Sequence, residues 1–286
     1  MSESPTTPEP AESAEDTSRA TRLTAEQIHE NIREPAEEEM VRPFSSLFVS
    51  ALAAGLLIGF SFLSAAFAGS LVSEPYRTAA RAAAYPLGFI FVVLGRNELF
   101  TENTLEPIIP LLHRKDLATL RRTFRLWGIL LLGNLLGALI FAFALARTPM
   151  VSEALQPAIA QLAVESVEGG FGKVFYGGIF AGWLLALLTW LLAATRATGA
   201  QIVLIWLCTA PILAFEFKHS IAGSVEAFYA ALIGAQGWGA MVGSFVVPTV
   251  LGNAVGGVVL VALLNHGQVV AEQGDHHPWR GFRARR

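Results

Sequence analysis

Two short stretches carry chemistry inside an otherwise apolar chain: GRNELFTENT at 95–104 and FEFKHSIAG at 215–223. The second sets Lys218 beside His219, an ammonium beside a ring that gains or loses a proton near neutrality. The first supplies Thr101, whose hydroxyl both donates and accepts a hydrogen bond. Thr101 and His219 can each donate to a small solute, one from each stretch. A small anion that enters a dry constriction sheds its hydration at a cost of several kcal/mol. A positive potential lowers that cost, and Lys218 and the N-terminal ends of half-helices supply one. A proton that turns the anion into a neutral acid lowers it too. If Lys218 stays charged close by, it disfavours protonation of His219.

These residues need a frame, and the composition sets it. Of 286 residues 53% are hydrophobic and 15% charged, against about a quarter charged in a soluble domain. The mean hydropathy is +0.50. The charges are segregated: residues 1–42 are acidic and polar, and the terminal HHPWRGFRARR is basic. The single cysteine, Cys208, lies in an apolar run, so a disulfide within the chain and a cysteine metal site are excluded. Adjacent His276 and His277 on a basic tail are a poor metal site, and no cofactor is expected. No signal peptide is visible, because the first apolar run begins at Phe44 behind an acidic tail.

A helix needs about 20 apolar residues to cross the hydrocarbon. Uncharged runs at 44–73, 126–146, 174–195, 197–215 and about 240–265 meet or approach that length. The run 82–95 rises only about 21 Å and must be continued beyond its polar interruption by LEPIIPLL. The reading is six transmembrane helices, with the second and fifth broken at the two polar stretches. Irregular backbone at membrane depth is tolerated only against protein or a water-filled cavity. The polar residues then serve to bond unwound backbone and to face a solute. Glu98 and Glu102 are candidates for satisfying the second break.

The halves repeat. LLGNLLGALIFAFAL (131–145) falls on VLGNAVGGVVLVALL (250–264) at an offset of 119. GLLIGF (55–60) falls on GIFAGW (178–183) at 123, and Thr101 against His219 gives 118. Three crossings per half is an odd number, so the halves are inverted. The small residues four apart serve close helix packing. Asn134 and Asn253, related by the repeat, are expected to hold the broken loops by hydrogen bonds. Lys218 either serves the path, snorkels to the surface, or pairs with Glu98 or Glu216.

Short-loop basic residues Arg114, Lys115, Arg121, Arg122, Arg125 and Arg196, with Arg280, Arg283, Arg285 and Arg286, place both termini in the cytoplasm; Arg77 and Arg81 stand against this. The expected organisation is a disordered acidic tail (1–23), a cytoplasmic amphipathic helix (24–43) with Thr24 as cap, a transmembrane domain (44–266, repeats about 44–147 and 171–266) and a basic cytoplasmic tail (267–286). The segment 147–173 reads as an acidic outer connection. No P-loop, H-E-x-x-H, nucleophile elbow or nucleotide fingerprint is present, which argues against an enzyme.

ELFTENT, FKHSIAG and LGN with following glycines resemble the formate/nitrite transporter family over about residues 28–270. IHENIREPAEEEM and GSVEAFY point further to its YfdC-like branch. The resemblance implies an aquaporin-like, all-α integral membrane fold of six helices. It also implies a homo-oligomer, a pentamer, in the bacterial or archaeal inner membrane, with one pore per protomer. Each pore passes small monovalent anions such as formate, nitrite or hydrosulfide, as a channel or with protons. Protons and the lipid bilayer are then the further partners, and nucleic acid is not one. By matched motif position, Thr101 is the pore threonine and His219 the central histidine. Leu99 and Phe100 form one constriction, Tyr85, Phe89 and Ile212 border the other, and Asn253 is the sixth-helix asparagine. Lys218 departs from the family, where an acidic residue precedes the histidine, and Gly182 stands where some members have asparagine. An aquaporin-like neutral-solute channel and a non-transporting membrane adaptor are the alternatives; the absence of paired Asn-Pro-Ala at the breaks argues against the first.

Overall fold

The computed structural model describes residues 23–275. The segments read as a disordered tail, apart from Leu23, and the tail residues from His276 onward lie outside the described residues.

The described residues are all-helical. Helix α1 is Ala25–Glu39, α2 is Phe44–Ser70 and α3 is Arg77–Leu94. A 3-10 turn at Glu102–Thr104 leads to the short α4, Ile108–Arg114. Then come α5 (Leu117–Arg147), α6 (Gln156–Ser166), α7 (Phe171–Ala193), α8 (Thr198–Ala214), α9 (Ala222–Leu232) and α10 (Trp238–Ala271). Helix α10 contains π-helical turns at Val242–Val246 and Val258–Leu263, and helix continues through Asp275, beyond the expected domain end at 266. Helices α2, α3, α5, α7 and α10 are long and apolar enough to cross a membrane; α8 is apolar and 17 residues long. Large apolar side chains such as Val49, Phe67, Leu132, Phe143, Phe180 and Leu251 are exposed around the outside. A protein in water would bury so continuous an apolar surface.

Two helix pairs form the frame. Helix α2 packs along α5, and α7 along α10. Glycines make both approaches possible. A Cβ added to Gly55 on α2 would lie 2.9 Å from the Asn134 carbonyl carbon, and one on Gly182 of α7 would lie 2.7 Å from that of Asn253. Gly182→Ala is expected to push α7 off α10, at about 1–3 kcal/mol for an overpacked contact. The melting temperature of the purified protein should fall, whereas Gly128→Ala should not lower it, because nothing lies within 4 Å of that position.

Helix α6 was not anticipated within the acidic 147–173 connection. Pro157 at its first turn and the buried Ile159, Leu162 and Ala163 account for it. Their spacing of three and four makes a single apolar stripe, and it packs onto α9 and α2.

Helix α1 closes over the opposite end. Thr24 and Gln27 form a reciprocal capping box, with Gln27 N–H to Thr24 Oγ1 at 3.2 Å and Thr24 N–H to Gln27 Oε1 at 2.9 Å. His29, Ile32 and Ala36 are buried beneath it. Glu37 meets Arg114 of α4 at 2.5 Å, and His29 Nε2 lies 3.1 Å from His266 Nδ1. Burial holds the His29 ring below its ordinary range, and His266 adds to this; Arg33 and His113 act the same way and Glu30 opposes them. A base whose value is depressed in the docked state gives stability that is present above its free value and lost as pH falls. Backbone amide exchange across 25–39, corrected for intrinsic rates, is therefore expected to rise as pH drops below about 6.5. His29→Gln should flatten that dependence.

Candidate functional site

The two breaks share one backbone design. At the first, Asn97 N–H reaches back to Val92 O at 3.0 Å, and Arg96 takes a φ of 52°. At the second, Phe217 N–H reaches Ile212 O at 2.8 Å, and Glu216 takes a φ of 55°. Each unwound segment is pinned by one asparagine. Asn134 Oδ1 accepts from Phe100 N–H at 2.8 Å, while its Nδ2 donates to Glu98 O at 2.9 Å and Ala51 O at 2.7 Å. Asn253 Oδ1 accepts from Ser220 N–H at 2.8 Å, and its Nδ2 donates to Lys218 O at 2.9 Å and Gly178 O at 2.8 Å. The expected holding role of these asparagines is thus observed, and Asn253 spends both amide atoms on backbone.

The bonds also correct the register of the sequence comparison. Phe100 pairs with Ser220 and Glu98 with Lys218, a spacing of 120, so His219 stands where the first break has Leu99 and not Thr101. On the long helices Ala51 takes the place of Gly178 and Gly55 that of Gly182, a spacing of 127 rather than 123. The cause is physical: glycines four apart repeat after one helical turn, so a one-turn slip preserves the pattern.

Thr101 and His219 come from unequal positions and meet. Thr101 Oγ1 lies 3.0 Å from His219 Nε2, and both side chains are buried. The other ring nitrogen, Nδ1, accepts from the N–H groups of Ile221 and Ala222, each at 3.1 Å. A nitrogen facing two N–H donors carries no hydrogen, so in the neutral ring the proton resides on Nε2 and points at Thr101. Thr104 Oγ1 donates to Thr101 O at 2.7 Å, which steadies that turn.

Apolar side chains flank the contact. The Phe89 ring meets His219 edge-on, with centroids 5.0 Å apart, and Tyr85 stacks obliquely behind Phe89 at 5.5 Å. Phe89, Leu99, Phe100, Tyr85 and Ile212 are all buried. Phe100 rests against Trp127, whose indole N–H bonds Asn103 O at 2.7 Å.

Beside His219 a cavity of about 200 Å³ opens, reaching Tyr85, Arg81, Ile212, Lys218 and Glu226. Lys218 pairs with neither Glu98 nor Glu216. Its Nζ donates to Ser166 O at the end of α6, at 2.8 Å, while Glu216 meets Lys173 and Glu98 meets Arg42 at 2.6 Å. Ser166 and Glu226 were not named as site residues from sequence, and Arg81 entered only as a loop charge bearing on orientation. Glu226 was detectable as the only acidic residue in the apolar run 217–270.

Comparison with known proteins agrees with this geometry. The sequence pattern of the family described as "Formate/nitrite transporter" matches residues 26–267. The inner membrane protein YfdC of Escherichia coli (strain K12) is 35% identical over 243 residues, covering 85% of this chain and 78% of that protein. A solved FNT family ion channel superposes with a TM-score of 0.68 at 22% identity, over 90% of this chain and 99% of that one. A pentameric formate channel with formate bound gives 0.66 at 22% identity, over 79% and 98%. The extent of the family match and the identity to YfdC make this chain a multi-pass membrane protein of the formate/nitrite transporter family.

Proposed function

We propose that the protein moves small monovalent anions or their weak acids, of the formate, nitrite and hydrosulfide class, across the inner membrane. Six crossings arranged as an inverted 3+3 repeat would form one pore per protomer of a pentamer, with both termini cytoplasmic. The observation that carries the reading is the buried Thr101–His219 contact at 3.0 Å, made between two unwound segments. Ionisable groups within a membrane face a path or a cavity, and the 200 Å³ cavity reaches His219 from one side. On this reading Phe89, Leu99 and Phe100 are the dry constrictions, which oppose an ion more than a neutral acid. Tyr85 and Ile212 border the vestibule, Lys218 faces the arriving anion, and Asn253 positions the break. The bound formate of the structurally similar pentameric channel supports a substrate of this size.

The test is uptake of labelled formate, nitrite and hydrosulfide into proteoliposomes, with and without an inward proton gradient. Uptake above empty vesicles supports the reading, and stimulation by the gradient selects proton coupling over a passive channel. No uptake of any of the three by assembled protein would overturn it.

A further inference from the structure

The vestibule beside His219 is not a simple basic funnel. Its cations Arg81, Lys173 and Lys218 face the carboxyls of Glu165, Glu168, Glu216 and Glu226. Two pairs are closed: Arg81 Nη1 lies 2.5 Å from Glu165 Oε2, and Lys173 Nζ lies 3.3 Å from Glu216 Oε2. Glu168 is exposed at the rim. That leaves Lys218 and Glu226, 6% and 5% exposed.

Both lie beside the end of α6. Ser166, the last residue of α6, takes the Lys218 ammonium on its carbonyl and lines the same cavity as the Glu226 carboxyl. Lys218 and Glu226 line one cavity without closing into an ion pair. Gly223 and Glu226, three apart on one face of α9, line the same cavity as His219. The position recurs: at the 120-residue spacing of the breaks, Glu226 falls on Glu106. Each broken crossing thus carries a glutamate at the same point of its returning segment.

We propose that Lys218 and Glu226 form a proton-transfer site for weak acids of the small monocarboxylate class: Lys218 Nζ receives the oxyanion, and the Glu226 carboxyl gives it the proton with which it passes His219. The step balances. The Glu226 O–H bond breaks and a substrate O–H bond forms, leaving the Glu226 carboxylate facing Lys218 and Arg81. A proton from hydronium or buffer acid in the solution on that side restores the Glu226 carboxyl before the next molecule. No electrons change hands. Tyr85 is the further titratable neighbour from α3. The inference rests on the transport reading above and deepens it.

Formate is the probe, with uptake followed in proteoliposomes between about pH 5 and pH 8. Glu226→Gln is expected to lower the rate about tenfold at the alkaline end and by less than about twofold at the acid end, where solution supplies the neutral acid. Its half-saturation should be unchanged. Lys218→Met should raise half-saturation about tenfold throughout, the effect of losing a charged hydrogen bond. Ser166→Ala removes a hydroxyl from the cavity that Glu226 lines but keeps the carbonyl for Lys218, so it should shift the pH profile and leave half-saturation alone. A Glu226→Gln profile parallel to wild type, whether equal or uniformly reduced, would overturn the proposal, since a structural role moves all pH values together. A wild type silent to formate, nitrite and hydrosulfide would overturn the transport reading itself.

Discussion

Alanine in place of His219 is expected to cut anion uptake by about one to two orders of magnitude. On the transport reading the ring provides the hydrogen-bond donor from the second break, and leaving a solute oxygen without a partner in a dry site costs about 1–3 kcal/mol, with each 1.4 kcal/mol a factor of about ten in rate. Glutamine makes the sharper test. His219 accepts on Nδ1 from Ile221 and Ala222 and meets Thr101 through Nε2. A carboxamide accepts through its oxygen and donates through its nitrogen, so it can imitate that division. Glutamine cannot imitate an imidazolium. Partial recovery in His219→Gln, with retained response to the proton gradient, means that the neutral ring suffices. Uptake as low as in His219→Ala means that ionisation of the ring is required. Thr101→Val, measured alongside, should lose rate together with about 1–3 kcal/mol of stability, since the shape is kept but the buried His219 Nε2 loses its partner.

The second large effect is expected on stability. Asn253→Ala leaves the Ser220 N–H and the Lys218 C=O without the partners they have now. At about 1–3 kcal/mol for each buried orphan, the loss is about 2–6 kcal/mol. Asn134→Ala does the same to Phe100 N–H and Glu98 C=O. Both variants should melt well below wild type in detergent, and uptake per folded protein should fall because the broken segments no longer hold Thr101 and His219 in register. Asn253→Asp keeps the acceptor for Ser220 and removes both donors, so it should remain destabilised. A melting temperature unchanged in both alanine variants would show that these segments are held by other contacts.

Much of this was legible in the sequence for a definite reason. Polar residues in an apolar chain are costly in lipid, so GRNELFTENT and FEFKHSIAG stood out against their surroundings, as did the paired LGN motifs. The fastening role of Asn134 and Asn253 followed from the need to satisfy unwound backbone. The register did not follow, because spacing by whole turns leaves the glycine pattern unchanged and only the asparagine bonds distinguish the choices. Helix α6 was hidden by its flanking acids, although Ile159, Leu162 and Ala163 marked its face. The partners of Lys218 and Glu98 were out of reach for another reason. Ser166 lies 52 residues from Lys218, and Arg42 lies 56 from Glu98. No local pattern encodes which distant group will arrive.

Glu98 and Lys218 occupy matching places in two nearly identical backbone settings, yet carry opposite charge. The scaffold is close to even-handed, and the side chains are not. An anion arriving at one mouth would meet an ammonium first; at the other it would meet a carboxylate already shared with Arg42. Such a conduit works like an electrical junction. On the transport reading an anion is captured more readily from the Lys218 side, so half-saturation differs between the two directions, while one-way fluxes at low and equal concentrations stay the same. At equilibrium the two must still cancel, because fixed charges in a passive path change how quickly a gradient runs down and never where it ends.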